Sequence, residues 1–187
     1  MAALLFTAAM RAQAPKPSPV LAAMKAELAT SMEQLKKQRT PPYFLSYEII
    51  ETETTNVSGS FGALTSSTPA VRARYLGVDL RVGEYALDNT RPIRGALFNG
   101  MDNYNYYSVP IDDDPDALRA RLWYFTDQRY KRAIEQLIAV KTNVKVKAEE
   151  TDKAGDFSPA KAETYSDPPS PAVHVDRTLW EDKVRRY

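Results

Sequence analysis

The chain of 187 residues has no cysteine and a single histidine, His174. The first absence excludes disulfides, thiolate metal sites and cysteine nucleophiles. A lone histidine lacks the second histidine or cysteine that a zinc site or a catalytic pair would need, so His174 reads as an ordinary exposed residue. Neither sign of charge dominates. With 25 basic against 24 acidic side chains and a net charge of +1, composition makes no electrostatic case for nucleic acid or an anionic membrane. No segment is long and apolar enough to cross a bilayer. No GxGxxG, GxxxxGK[ST], HExxH or GxSxG motif occurs.

What is present suffices for one domain with tails, since 43% of the residues are hydrophobic. Residues 1–10 (MAALLFTAAM) form a short apolar run, and Ala12-Gln13-Ala14 after it follows the A-x-A pattern of signal-peptidase sites. Residues 1–14 therefore read as a signal segment, which implies export to the periplasm or beyond. Against that stand the lack of Lys or Arg before the run and Pro15 just after the site. The alternative is an N-terminal tail with no targeting role.

The folded domain is expected over 15–150. Ser18 and Pro19 open a helix over 19–38, with Leu21, Met24, Leu28, Met32 and Leu35 as its stripe and Thr40-Pro41-Pro42 as its stop. A strand follows in which Tyr43, Leu45, Tyr47 and Ile49 share a face. A second strand is expected over 55–64, with Val57, Phe61 and Ala63 on one face. A third is expected over 71–87, with a parity change near Leu76-Gly77 that implies a bulge or bend. Short joins make these an antiparallel meander. Residues 88–110 read as an irregular excursion. Asp112-Asp113-Asp114-Pro115 then starts a long helix running to about 141, striped by Leu118, Leu122, Phe125, Ala133, Leu137 and Val140 and widened by Trp123, Tyr130, Ile134 and Ile138. The fold class is α+β: an antiparallel sheet packed by two helices, followed by a linker (151–172) and a truncated helix (173–187). In that last helix Asp176 is the N-cap and Trp180 and Val184 share one face. Nothing in the sequence marks a core for them to bury against.

Few residues suggest chemistry. Asp112, Asp113, Asp114 and Asp116 lack the spacing of a calcium loop, and helix capping accounts for them. Glu48 and Glu51 fall on opposite sides of a strand and make no carboxylate pair. Arg72, Arg74, Arg81, Arg91 and Arg94 resemble a basic stripe for single-stranded nucleic acid, but Asp79, Glu84 and Asp88 interleave with them, so a solvated strand face is the expectation. Tyr104, Tyr106 and Tyr107 form an aromatic patch on a loop. Two roles stand open for it: a partner-binding surface, or packing over the sheet edge.

Four segments carry a resemblance: 42–62 (PYFLSYEIIETETTNVSGSFG), 74–95 (RYLGVDLRVGEYALDNTRPIRG), 109–131 (VPIDDDPDALRARLWYFTDQRYK) and 153–158 (KAGDFS). Together they resemble the N-terminal region of large bacterial proteins related to the TldD/PmbA metalloproteases (modulators of DNA gyrase), most closely a secreted subgroup. The resemblance implies an N-terminal α+β domain followed in a longer parent by a β-rich domain. It implies a homo- or heterodimer and degradation of peptides or unfolded polypeptides. It also implies zinc in active members, on an HExxxH helix and a further cysteine. That metal motif has no counterpart here, so no catalytic or metal-binding residue and no cofactor is carried over. The expectation is a non-catalytic N-terminal domain or fragment that shapes the substrate cleft and the dimer. The alternative is an exported binding module unrelated to proteolysis.

Overall fold

The structure is a computed structural model that describes residues 18–93, 106–146, 154–167 and 173–187. Its elements in chain order are α1 (Pro19–Leu35), β1 (Pro42–Ser60), β2 (Ala63–Glu84), β3 (Leu87–Asp88), β4 (Tyr107–Ser108), α2 (Pro115–Val146) and α3 (Arg177–Arg186). The fold is α+β, an antiparallel sheet with α1 and α2 packed on its inner face.

One long hairpin dominates the sheet. Phe61 (φ 51°) and Gly62 (φ 77°) supply the two consecutive positive φ values of a tight primed turn, and β1 pairs antiparallel with β2 from Pro42↔Val82 to Ser60↔Ala63. The separate strand expected over 55–64 therefore does not exist. That stretch is the end of β1, the turn and the start of β2. Thr52-Glu53-Thr54 is polar on both faces, as a strand is once it runs past the core, and so imitates a loop. The expected bend at Leu76-Gly77 is also absent, since pairing is unbroken from Phe44↔Arg81 to Thr54↔Val71. The inward set is Arg74, Leu76, Val78, Leu80 and Val82, and all five are buried. The apparent parity change came from an arginine at an inward position and from Val71 and Tyr75 facing outward. Real register shifts lie at Pro42/Phe44, Thr54/Asn56 and Ser58/Gly59. The second sets two residues of β2, Pro69 and Ala70, against Thr55 alone, a place where a residue without an N–H does no harm.

On the other side of β2, β4 pairs at Tyr75↔Ser108 and Leu76↔Tyr107, and β3 pairs at Gly83↔Asp88. Asn89 extends this edge with its side chain. Its Oδ1 accepts from Val82 N at 2.8 Å and its Nδ2 donates to Leu80 O at 3.4 Å, while its own N–H donates to Val82 O.

In α1, Ser18 caps Leu21 N at 3.3 Å, but the helix ends at Leu35 rather than 38. Its deepest line is Ala23, Glu27 and Ser31, and the expected apolar stripe is only half-buried. In α2, Asp114 Oδ1 accepts from the N–H groups of Asp116 and Ala117. Leu118, Leu122, Phe125, Ala133, Leu137 and Val140 are buried as expected. Trp123 and Ile138, expected to widen the stripe, lie 51% and 62% exposed, and Thr126 and Arg129 are buried instead. The inward face thus carries a polar seam.

The C-terminal helix does find a partner. Asp176 caps Leu179 N at 3.0 Å, Ser67 Oγ donates to Glu181, and Val184 lies directly over Gly59. A Cβ at Gly59 would overlap Val184 Cγ1 and stand 2.8 Å from Ala63 O, so glycine permits this close approach. The expectation of a helix with nothing to bury against fails because the hairpin projects far enough past the core to offer it a seat. Among the described residues no helix is long and apolar enough to cross a membrane.

Candidate functional site

The tyrosine patch divides. Tyr104 lies outside the described residues. Tyr106 is 44% exposed; its hydroxyl donates to Glu48 Oε2 at 2.7 Å and its ring lies over Gly77 on the outer face of the sheet. Tyr107 is half-buried in β4 and stacks on Phe125, with ring centroids 4.0 Å apart. Tyr107 is therefore part of the packing between sheet and α2. Tyr106, beside the exposed cross-strand pair Ile50 and Tyr75, belongs to a surface.

A denser polar cluster sits where β1, β2 and the segment after α2 meet. The shift at Pro42/Phe44 leaves Tyr43 as an extra residue of β1, and its hydroxyl donates to Asp88 Oδ2 at 2.5 Å. Asp88 is fully buried. It also accepts from Arg81 Nη1 at 3.4 Å and from the N–H and hydroxyl of Thr90. Asp156 reaches in from 68 residues away, its Oδ2 accepting from Asp88 N at 2.8 Å and its Oδ1 from Arg91 Nε at 2.7 Å. Phe157 follows, donating its N–H to Tyr85 O and placing its ring 4.2 Å from the Arg81 guanidinium. Burial, the bond to Asp88 and its charge together hold the Tyr43 phenol well above its usual range. Burial alone would lower Arg81, but the charges of Asp79 and Asp88 outweigh it and hold the guanidinium firmly protonated.

A second cluster lies between α1, β1 and α2. Ser31 Oγ donates to Glu27 Oε1 at 3.0 Å, and Arg119 Nε donates to Glu27 Oε2 at 3.3 Å. Thr126 donates its proton to Leu122 O at 2.7 Å, so in the 2.6 Å contact between Thr126 Oγ1 and Tyr47 the tyrosine hydroxyl is the donor. Burial raises the Tyr47 phenol, and its contacts with Ser31 and Thr126 only partly offset that. Each hydroxyl here already has an acceptor within the fold. The cluster is suited to fixing the angle of two helices.

Arg74, expected on a solvated basic stripe, is instead 2% exposed at the end of the core. It binds Glu51, Asp113 Oδ1 (2.6 Å), Pro110 O (3.0 Å) and Asp112 O (3.1 Å). Burial pulls this guanidinium down, but the bonds to Asp113 and Glu51 more than compensate. Asp113, expected to serve helix capping, anchors the approach to α2 while Asp114 does the capping. Arg72 and Glu51 are 3.6 Å apart, and Arg81 belongs to the Asp88 cluster.

His174 lines an open cleft of about 250 Å³ between the hairpin and α3, together with Glu53, Thr55, Pro69, Ala70, Val173, Val175 and Arg177. The cleft is shallow and brings no second metal-ligating side chain of the imidazole or thiolate kind to His174. Among the described residues no cluster of three His, Cys, Asp or Glu side chains is arranged to hold a metal ion.

From the sequence, Tyr43 reads only as part of a strand face and Asp88 only as an acid among the arginines, and Asn89, Asp156 and Phe157 carry no signal of their own. Nothing local in the sequence signals the contact between Asp88 and Asp156, which lie 68 residues apart. No family model matches the chain, nor does any curated protein or solved structure.

Proposed function

We propose that this chain is a non-catalytic domain of a TldD/PmbA-like, metallopeptidase-related protein, whose part is to shape a polypeptide cleft and support a dimer. The observation that carries the reading is a convergence. The four resembling segments, dispersed over 42–158, bond to one another. Tyr43 of the first meets Asp88 of the second, Asp156 of the fourth meets Asp88 and Arg91, and Arg74 of the second meets Asp113 of the third. Segments that touch in this way belong to one folded unit, which supports reading the resemblance over that unit as a whole.

Zinc does not fit this chain. One histidine and no cysteine cannot reproduce an HExxxH helix with a further thiolate, so no step of proteolysis is assigned to these residues. Export, from the apolar run and the Ala12-Gln13-Ala14 pattern, is part of the same proposal. Sequencing the transcript past the codon for Tyr187 tests it. An in-frame continuation into a long β-rich region with or without HExxxH supports the reading; a stop followed by an unrelated gene supports the second one, an exported binding module. The exposed Ile50, Tyr75 and Tyr106 on the outer sheet face favour that alternative as a specific observation.

A further inference from the structure

The far edge of β1 is a long strand edge that no other strand covers among the described residues. β1 is 19 residues long and stands at the end of the strand order, so among the described residues it pairs only with β2. β2, by contrast, has its second edge partly covered by β3, β4 and the side chain of Asn89. Strands left at an edge are usually blunted by charged side chains, lysine above all, or by proline, bulges or brevity. Between Phe44 and Thr54, β1 has no lysine, proline or bulge, and the charges it carries are those of Glu48, Glu51 and Glu53. Its pairing is regular, it carries no Lys or Arg, and Glu48, Ile50, Glu51, Thr52, Glu53 and Thr54 are exposed. A seven-residue stretch from Glu48 to Thr54 offers roughly 23 Å of edge at the usual rise of a strand.

We infer that this edge takes an added strand: an extended, basic polypeptide segment that pairs with the main chain of β1 along 48–54. Two observations choose the occupant. The stretch itself bears Glu48, Glu51 and Glu53 and no base, with Arg72 and Arg74 across from Glu53 and Glu51 on β2, so the side chains of β1 beside an incoming strand are acidic. Glu51 is joined to Arg72 and Arg74 of β2, whereas Glu53 turns to the open cleft beside His174 and Arg177. The same charges oppose a second copy. Two β1 edges paired over this stretch would gather both sets of Glu48, Glu51 and Glu53 in one interface, where like charges across strands are destabilising. On the outer face the Ile50–Tyr75 pair and Tyr106 add an apolar strip next to Glu48. The fitting segment therefore alternates basic and apolar side chains, with backbone bonds giving affinity and these side chains giving preference. The inference goes beyond the proposal above and does not need the parent to be a peptidase.

The test uses the full chain and a labelled, end-capped seven-residue peptide that alternates lysine and valine, followed by fluorescence anisotropy. Two isomers of the peptide are N-methylated, one on the lysine amides and one on the valine amides. In a paired strand only one of these sets faces β1, so one isomer should keep its affinity and the other lose about tenfold or more. Glu53→Lys should weaken the parent peptide by about tenfold, and Glu163→Lys, in the exposed linker, should leave it unchanged. Equal binding of the two isomers would reduce the effect to charge alone and overturn the inference. So would absence of binding up to about 1 mM, or affinity that survives Glu53→Lys in a chain that still melts cooperatively. A concentration-dependent dimer that Glu53→Lys abolishes would give the edge to a second copy and overturn it as well.

Discussion

Asp156 and Asp88 meet side chain to main chain: the Asp156 carboxylate accepts the N–H of Asp88 at 2.8 Å across 68 residues of sequence. Because Asp88 is fully buried, this bond ties the segment after α2 into the base of the hairpin. Asp156→Ala removes the acceptor for a buried N–H and for Arg91 Nε together. A loss of about 2 kcal/mol is expected from stranding such a donor. Urea midpoints measure it. A loss below about 0.5 kcal/mol, the range of surface changes, would mean the segment is not part of the folded unit.

The inward face of α2 predicts a contrast between neighbours. Phe125 is 6% exposed and stacks on Tyr107, whereas Trp123 is 51% exposed. Phe125→Ala should cost about 3–5 kcal/mol, as for a large aromatic taken from a core. Trp123→Ala should cost about 0.5 kcal/mol or less. Equal losses in denaturant would show that α2 is rotated from the orientation described.

Stability should fall at alkaline pH. An unfolded tyrosine ionises near pH 10. Tyr43 and Tyr47 are both held above that in the folded chain, chiefly by burial. The folded state thus keeps protons that the unfolded state releases. The contribution is fully present below about pH 10 and is lost as pH rises from there through the folded values. Chemical denaturation midpoints should decline above about pH 10, and the Tyr43→Phe/Tyr47→Phe double variant should show a shallower decline. An identical slope in the double variant would contradict this.

Gly59→Val should release α3 while sparing the core. The added side chain collides with Val184, yet Gly59 is exposed and far from the buried cluster. Limited proteolysis should then cut near Arg177 faster, and Trp180 fluorescence should shift. The main melting transition should stay within a few degrees, as for a change of about 1 kcal/mol or less. A collapse of that transition would show α3 to be integral to the domain.

Much of the architecture could be read in the sequence wherever local chemistry and burial agree. Ser18 and Asp114 cap as their types dictate, and the apolar repeat of α2 from Leu118 to Val140 lies inward. The reading failed where polar residues occupy inward positions. Arg74 breaks the apolar alternation of β2 and imitates a parity change, and Glu27 and Ser31 sit deeper in α1 than the leucines and methionines of its stripe. Arg74 is tolerated because Glu51, Asp113 and two carbonyls surround it, partners that only the tertiary fold supplies. The site was less legible than the fold. Tyr106 and Tyr107 are adjacent, yet one faces the outer surface and the other the core, as neighbours in an extended segment must. The Asp88–Asp156 contact has no local signature at all.

The central claim is that this chain supplies binding and shape rather than catalysis. Its most direct test is equilibrium dialysis of the purified full chain against zinc, followed by incubation of the same sample with fluorescently quenched casein. With His174 as the sole histidine and no cysteine, the account predicts no tightly bound zinc and no cleavage above the rate of buffer alone. About one zinc per chain at sub-micromolar affinity, with casein cleavage that a chelator stops, would contradict it.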